Sequence, residues 1–310
     1  MRHAHRSLPV ALALSLCLAT LVAIAGTGGA SAAEKLPVPY TFIPTVIAGG
    51  LPGANAPGTN DWTCKPTAAH PKPVVLVHGT FGNRATNWQT YGPLLKNEGY
   101  CVFALNYGMK ISPGAILGGQ DRIEDSAAEL KAYVAKVLEA TGAKKVDLVG
   151  HSQGTLMPQY YVRFLGGAKH VDNYIGLAPL WHGTYTNGGL PDLAAAFGYD
   201  AVDGSPVCKA CLQMTAPSEF LRTVREGGVA TKGVRYTNIV TTMDEVVVPY
   251  TSGIEEGMTN ITLQKKCGLD LSDHLSIVSS RTAADLVLNT LDPAHPRKVR
   301  CTLHLPAIGS

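Results

Sequence analysis

Charged residues are scarce in this sequence. Only 16% of its 310 residues are Asp, Glu, Lys or Arg, and 26 basic against 23 acidic side chains leave a formal net charge of +3. A nucleic-acid-binding surface needs an excess of Lys and Arg, so this composition gives no electrostatic case for DNA or RNA as a partner. Beyond the N-terminal region the sequence also lacks any apolar run long enough to span a bilayer, and it has no internal repeats.

The one long apolar run lies at the N-terminus. Met1 to Arg6 carry His and Arg, apolar residues extend from about Leu8 to Ala25, and Ala30-Ser31-Ala32 closes a segment of small residues. This order predicts a cleaved secretory signal peptide over residues 1–32, with an uncleaved anchor as the alternative. We therefore expect a secreted protein without a stable membrane anchor, in which residues 33–310 form a single domain.

The cysteines predict disulfides rather than a metal site. Of the seven, one lies in the predicted signal peptide, and the others are Cys64, Cys101, Cys208, Cys211, Cys267 and Cys301. An even number in an exported chain is typical of disulfides, although sequence spacing does not fix their pairing. No second Cys or His pair lies at ligand spacing near Cys208-Lys-Ala-Cys211, which favours a short local disulfide over a zinc site. No metal or organic cofactor is implied.

Strand and helix patterns alternate along most of the chain. Short β-branched runs such as Val74–Val77 predict buried strands, and the apolar spacing over residues 121–140 predicts an amphipathic helix that stops at Thr141-Gly142. Such alternation predicts an α/β fold with a mostly parallel central sheet flanked by helices. The pattern breaks over about residues 180–233, which we interpret as a small cap or lid. It resumes and ends in a helix predicted for residues 275–291.

The most informative motif is Gly150-His151-Ser152-Gln153-Gly154. It follows a strand pattern and precedes a helix pattern, as in the nucleophile elbow of serine hydrolases. The elbow exposes the Ser152 hydroxyl above the sheet edge, and the helix behind it directs free N–H groups toward a developing anion. His151, and His78 on the loop after the first strand, are interpreted as structural or substrate-lining residues rather than proton carriers.

The base and the acid are expected after Ser152, because hydrolases with this elbow place Ser, acid and His in that chain order. Among the later histidines, only His274 lies between a strand and the last predicted helix, where a loop can carry it to the sheet edge. Asp244 lies on the turn after the strand beyond the cap, so it is the predicted acid that orients the imidazole. Glu245 and Asp273 are the alternatives, although Asp273 is better suited to capping the last helix.

An oxyanion hole requires two N–H groups aimed at the developing charge. Gln153 supplies one by its position after the nucleophile, and the second is expected from the loop after Val74–Val77. Thr80 is favoured there, its hydroxyl being a possible third donor, and Phe81 is the alternative. Phe81 and Trp181 are also candidate substrate contacts, although packing explains Trp181 equally well.

In combination these motifs resemble secreted bacterial lipases of the α/β-hydrolase superfamily, of the actinomycete type, and the fungal lipase B of Candida antarctica. The resemblance covers nearly all of the chain after the predicted signal peptide, with His78 in place of the fungal enzyme's Pro. Its motifs are His78-Gly79-Thr80, Ser152-Gln153-Gly154, Asp244-Glu245-Val246-Val247 and Asp273-His274. It implies Ser152, Asp244 and His274 as the triad, and Thr80 with Gln153 as the oxyanion hole. It also implies a disulfide between Cys64 and Cys101, and a second at Cys267 with Cys301 as its partner.

The predicted activity is carboxylester hydrolysis through an acyl-enzyme, as in a triacylglycerol lipase. A cap with little charge favours a lipid substrate, and the sequence leaves open whether the protein acts at a lipid–water interface. The apolar residues of the cap are Leu190, Leu193, Phe197, Leu212 and Met214. The alternatives are a short-chain or polyester esterase, an acyltransferase with the same triad, a peptidase and a non-catalytic binding module. A monomer is expected.

Overall fold

The computed structural model describes Met1, residues 34–44, residue 47, and residues 53–109, 117–185 and 208–310. The predicted signal peptide, apart from Met1, lies outside the described residues, as do Leu190, Leu193 and Phe197 of the predicted cap. Residues Lys35–Ser310 belong to one compact unit. No helix that the structure describes combines the length and the apolar character needed to cross a membrane.

Six parallel strands form the central sheet of the described chain. They are β1 (Val74–Val77), β2 (Val102–Ala104), β3 (Val146–His151), β4 (Val171–Leu177), β5 (Arg235–Val240) and β6 (Thr259–Thr262). Their order across the sheet is β2-β1-β3-β4-β5-β6, and every neighbouring pair is parallel. The predicted α/β fold with a parallel sheet is confirmed. All strands therefore end at the same edge, where loops from distant parts of the sequence meet.

Helices cover both faces of this sheet. Those described are α1 (Tyr91–Asn97), α2 (Ile123–Thr141), α3 (Gln153–Phe164), α4 (Lys209–Met214), α5 (Glu219–Arg225), α6 (Leu263–Lys266) and α7 (Arg281–Leu291). Helix α2 ends where the sequence predicts, because Gly142 adopts a left-handed conformation with φ +73° and its N–H donates to the Leu138 carbonyl.

The core is divided by the sheet, and the alternation of side chains along β1 shows the division. Val75 and Val77 pack in one cluster with buried residues of α2 and α3, whereas Val74 and Leu76 pack in the other with α1 and α7. Successive side chains of a strand point to opposite faces, so a continuous apolar run covers both halves of the core. Such a run is what the sequence shows.

The last helix is shorter than predicted. Residues 275–291 were expected to be one helix, but a 3₁₀ turn over Ser276–Ser279 comes first and α7 begins at Arg281. Ser280 separates the two, since its backbone is extended and its side chain accepts a hydrogen bond from Ala283 N. A serine that caps a helix start competes with helical continuation through the same residue.

Three disulfides lie within the described residues. They join Cys64 to Cys101, Cys208 to Cys211, and Cys267 to Cys301. The first attaches the entry segment to the start of β2, and the third ties the segment before His274 to the C-terminal tail. These pairings are the ones that the family resemblance and the proximity of Cys208 and Cys211 lead us to expect.

The described part of the predicted cap packs into the main core. Helices α4 and α5 contribute apolar side chains to the cluster that also holds residues of β3, β4 and α3. These side chains are Ala210, Met214, Phe220, Leu221 and Val224. Residues 208–233 therefore share their burial with the sheet rather than forming a core of their own.

Candidate active site

The chain turns sharply from β3 into α3 at Ser152. This residue has φ +53° and ψ −125°, a conformation that L-residues adopt only under strain, and its side chain lies at the carboxyl edge of the sheet. The two flanking glycines are required by close packing. A Cβ at Gly150 would lie 2.0 Å from the Gly154 carbonyl oxygen, and one at Gly154 would lie 2.1 Å from the Val77 carbonyl oxygen.

Backbone hydrogen bonds fix this turn on both sides. Ser152 N donates to the Leu177 carbonyl at 3.0 Å, and the Ser152 carbonyl accepts from Thr155 N at 2.8 Å and Thr155 Oγ1 at 2.7 Å. The Ser152 hydroxyl makes no hydrogen bond to any other described residue. In serine hydrolases without substrate, the contact between the nucleophile and its base is often long, so the missing hydrogen bond does not argue against Ser152 as a candidate nucleophile.

His274 and Asp244 form a buried hydrogen-bonded pair. His274 Nδ1 lies 2.9 Å from Asp244 Oδ1 and 3.0 Å from Oδ2, and the side chains are 1% and 2% exposed. Because the carboxylate can only accept, Nδ1 carries the proton and Nε2 is left with its lone pair. The N–H groups of Val246 and Val247 donate to Asp244 Oδ1 at 3.1 and 2.7 Å, which fixes the carboxylate.

The same pairing sets the acidity of His274. Burial disfavours the charged ring, but the charge of Asp244 and its hydrogen bond outweigh burial, and Glu245 and Asp273 add to the attraction. The pKa of His274 is therefore raised above its ordinary value of 6.5. An imidazole with a raised pKa is a stronger base once it is neutral, which suits proton abstraction from a serine hydroxyl.

Backbone N–H groups engage both alternative acids. Asp273 Oδ1 accepts from Ser276 N at 2.7 Å, so this carboxylate caps the 3₁₀ turn after it. Glu245 Oε2 accepts from the backbone N–H of His274 at 3.1 Å. Neither carboxylate contacts the His274 ring nitrogens, whereas Asp244 does.

The loop after β1 lies directly against the elbow. A Cβ at Gly79 would lie 3.2 Å from Ser152 Cβ, and Thr80 Oγ1 donates to Gln153 Oε1 at 2.7 Å. The N–H of Phe81 is already used, since it donates to the Gly118 carbonyl at 2.9 Å. Thr80 N is left without an acceptor among the described residues, as is the N–H of Gln153 at the first position of α3.

A glycine pair that sequence reasoning did not single out completes this corner. Gly119 has φ +72°, and a Cβ on it would lie 2.7 Å from Gln153 Oε1 and 3.2 Å from Thr80 Cα. Gly118 anchors Phe81 through its carbonyl oxygen. The only sequence signal is the Gly118-Gly119 dipeptide itself, which indicates a tight turn but not its position over the candidate oxyanion residues.

The two candidate substrate contacts lie in different surroundings. Phe81 is 2% exposed and packs in an apolar cluster beside the site, with Cys208, Cys211 and Val246. Trp181 is 1% exposed, makes edge-to-face contacts with Tyr174 and Tyr236, and donates from Nε1 to Asn238 Oδ1 at 3.0 Å. Packing accounts for every described contact of Trp181, and its contact with substrate stays a prediction.

His78 and His151 are buried and neutral. Burial lowers the pKa of His78 to about 4 and that of His151 to about 3. His78 stacks on Tyr107, and His151 Nε2 lies 2.8 Å from the His274 carbonyl oxygen. In the part of the chain that the structure describes, no three His, Cys, Asp or Glu side chains form a group able to hold a metal ion.

Comparisons with known proteins agree with this architecture. A family described as Lipase (class 2) matches residues 71–287. The triacylglycerol lipase of Burkholderia plantarii is 34% identical over 135 residues, which cover 42% of this chain and 35% of that protein. The triacylglycerol lipase of Pseudarthrobacter phenanthrenivorans is 38% identical over 99 residues, or 30% of this chain and 28% of that protein. The matched stretches thus span about a third of these relatives' own length.

Among solved structures, the lipase B of Aspergillus fumigatus has a similar fold. It aligns with a TM-score of 0.61 at 21% identity, covering 79% of this chain and 57% of that one. At this identity the likeness concerns the fold: a parallel sheet with helices on both faces and loops gathered at the carboxyl ends of the strands.

Proposed function

Since this chain belongs to the class 2 lipase family, we propose that it hydrolyses carboxylic esters through an acyl-enzyme. Ser152 is the nucleophile, His274 the general base and Asp244 the acid that orients the base. The observation that carries the proposal is the buried Asp244–His274 hydrogen bond, at the same sheet edge as the strained Ser152. A strained serine and an oriented imidazole are the two parts that nucleophilic acyl transfer requires.

The chemistry follows from the proton positions. Asp244 holds the proton of His274 on Nδ1, so Nε2 takes the Ser152 proton as Oγ attacks the ester carbonyl carbon. The resulting imidazolium is stabilised by the Asp244 carboxylate and then protonates the leaving alcohol as the C–O bond breaks. Water next loses a proton to Nε2 and attacks the acyl-serine, and the carboxylic acid leaves as the Ser152 proton is returned.

The tetrahedral oxyanion is stabilised by the backbone N–H groups of Thr80 and Gln153. Both are free of acceptors in the described chain, and the loop of Thr80 lies against the elbow. The Thr80 hydroxyl donates to Gln153 Oε1, so it orients the two donors relative to each other rather than adding a third. A preorganised pair of donors stabilises the transition state because no dipole has to reorient as charge develops.

The substrate class is inferred from the walls of the site. The apolar cluster of Phe81, Cys208, Cys211 and Val246 also contacts Leu117 and Leu275. Three of these residues lie close in sequence to the proposed catalytic residues: Phe81 comes after Thr80, Val246 lies two residues after Asp244, and Leu275 comes after His274. An apolar wall at this place favours an acyl chain, so we propose fatty-acyl esters such as triacylglycerols as substrates.

A nucleophile variant tests the reaction. Ser152→Ala is expected to lose ester hydrolysis by roughly 10⁶-fold, down to the assay background. Labelling with a fluorophosphonate should modify the wild-type chain once, at Ser152, and should not modify the variant. Undiminished hydrolysis by Ser152→Ala would refute the proposal.

A chain-length series tests the substrate. p-Nitrophenyl esters of graded acyl length, with and without an emulsion, should show retained or rising kcat/KM as the chain lengthens. A steep fall beyond short chains, with no gain at the interface, would identify an esterase instead. Adding an alcohol acceptor separates hydrolysis from acyl transfer, because a transferase would form more of the new ester than of the free acid.

We further propose that the protein is exported. Support comes from the Ala30-Ser31-Ala32 motif and from three disulfides, which persist in oxidising compartments. N-terminal sequencing of the protein from the culture medium should begin at Ala33. Protein found only inside the cell would contradict export.

A further inference from the structure

Two polar side chains beside the triad have no role in the proposed reaction. His151 precedes the nucleophile in sequence and Glu245 follows the acid, and both reach the backbone of the same residue, His274. The side chain of His274 is held by Asp244, and its backbone lies between the Asp270–His304 bridge and the 3₁₀ turn over Ser276–Ser279. Whatever fixes that backbone also fixes where Nε2 points.

One contact is buried. His151 is 4% exposed, and its Nε2 lies 2.8 Å from the carbonyl oxygen of His274, itself in a residue that is 1% exposed. The shorter of the two ring contacts is the one with this carbonyl oxygen, which accepts only, so Nε2 donates to it. The other ring nitrogen, Nδ1, lies 3.1 Å from Asn87 Oδ1, which also accepts from the backbone N–H of Gly79 at 3.3 Å.

The other contact is only partly buried. Glu245 is an exposed residue, and its Oε2 accepts from the backbone N–H of His274 at 3.1 Å. When the Glu245 carboxylate is removed, water can take its place at this N–H. When the His151 side chain is removed, water reaches the buried carbonyl oxygen less easily. The buried contact is therefore expected to matter more than the exposed one.

We propose that His151 and Glu245 are positioning residues that hold the His274 backbone from its two sides. Because His151 is bonded to Ser152 and Glu245 to Asp244, each link ties the base to the position of another triad member. The three catalytic residues come from three separate loops, and these two hydrogen bonds link side chains of two of those loops to the backbone of the third. A displacement of about 1 Å in a reacting group can cost roughly 10²-fold in rate. The inference rests on the proposed function of Ser152, Asp244 and His274.

The decisive experiment removes the donor at position 151 and then restores it. His151→Leu should lower kcat by about 10²-fold with little change in KM, because binding is intact and proton transfer is misaligned. His151→Gln should recover most of the activity, since its amide nitrogen lies at the same distance along the side chain as Nε2. The rate of fluorophosphonate labelling of Ser152, measured per folded molecule, should fall and recover in parallel with kcat.

A matched control separates positioning from stability. His304 is a second buried histidine under the same loop, and its Nε2 lies 3.1 Å from the Ser276 carbonyl oxygen, two residues beyond His274. His304→Leu should lower Tm as His151→Leu does, but leave kcat per folded molecule unchanged. An equal fall of kcat in both variants, or no rescue by His151→Gln, would overturn the proposal.

The exposed link supplies a test that does not depend on folding of the His151 variants. Glu245→Ala should lower kcat severalfold, and Glu245→Gln should restore it, because the amide oxygen still accepts from His274 N. Both variants remove one of the charges that raise the pKa of His274, the others being Asp244 and Asp273, so both should shift the acidic limb of the pH profile to lower pH. Equal kcat values for the Ala and Gln variants would refute this half of the proposal.

The failure of this inference is distinguishable from the failure of the proposed function. If Ser152→Ala stays active, the proposed function fails. If Ser152→Ala is inactive but the variants at positions 151 and 245 behave like wild type, the function stands and the positioning inference fails.

Discussion

Replacing Gly119 by Ala is a direct test of the oxyanion corner. This glycine has φ +72°, and the added Cβ would lie 2.7 Å from Gln153 Oε1 and 3.2 Å from Thr80 Cα. Gly142 offers a matched control, because its φ is +73° and nothing lies within 4 Å of a Cβ placed there. The two Ala variants therefore share the backbone strain and differ in the steric contact.

The expected magnitudes separate these two effects. An L-residue held in the left-handed region costs about 1–2 kcal/mol, and this cost applies to both variants. At Gly119 the Gln153 amide must also move, which breaks its hydrogen bond with Thr80 and adds roughly 1 kcal/mol. Displacement of the Thr80 and Gln153 donors should reduce kcat by about tenfold or more, toward the ~10²–10³ that loss of one oxyanion donor costs.

Two measurements on each variant decide the matter. Urea unfolding gives the free energy of unfolding, and hydrolysis of a soluble ester gives kcat and KM. Gly119→Ala should be less stable than Gly142→Ala and should lose kcat, while Gly142→Ala should retain wild-type kcat. Equal stability losses with unchanged kcat in both would show that Gly119 does not shape the oxyanion site, and the assignment of Thr80 would have to be abandoned.

Three further predictions concern the base, its loop and the oxyanion donors. Asp244→Asn should lower kcat about 10⁴-fold. It should also shift the acidic limb of the pH profile to lower pH, because burial lowers the pKa of His274 once the attraction of Asp244 is lost. Replacing Cys267 and Cys301 by Ser removes a bridge that spans 34 residues and should lower the free energy of unfolding by about 2–4 kcal/mol, measured by denaturant titration. Thr80→Val should reduce kcat about tenfold, because the backbone N–H of residue 80 remains, whereas loss of a backbone donor costs ~10²–10³. A larger loss would show that the Thr80 hydroxyl contacts the oxyanion itself.

The fold was largely predictable because its signals are local. Continuous apolar runs such as Val74–Val77 indicate strands buried on both faces, and Gly142 marks the end of α2 through its need for positive φ. The interruption before α7 was missed because Ser276 to Ser280 fit a helix by periodicity alone. Two local hydrogen bonds decide against it: Asp273 Oδ1 accepts from Ser276 N, and Ser280 Oγ accepts from Ala283 N.

The candidate site was predictable only in part. Ser152, Asp244 and His274 follow from motif and chain order, and Thr80 and Gln153 from their places relative to β1 and the elbow. Gly119 was not predictable, because its role depends on a loop from another part of the chain approaching Gln153. The same holds for the link from His151 to the His274 backbone, which no sequence spacing reveals.

The burial of α4 and α5 has a consequence for substrate access. The four larger apolar side chains that these helices insert into the main core are Met214, Phe220, Leu221 and Val224. Re-exposing them would cost roughly 6–12 kcal/mol, at about 1.5–3 kcal/mol each, which approaches the whole stability of a typical domain. We therefore expect these two helices to stay packed on the sheet, so that any movement that admits a substrate to the proposed site has to come from other parts of the chain.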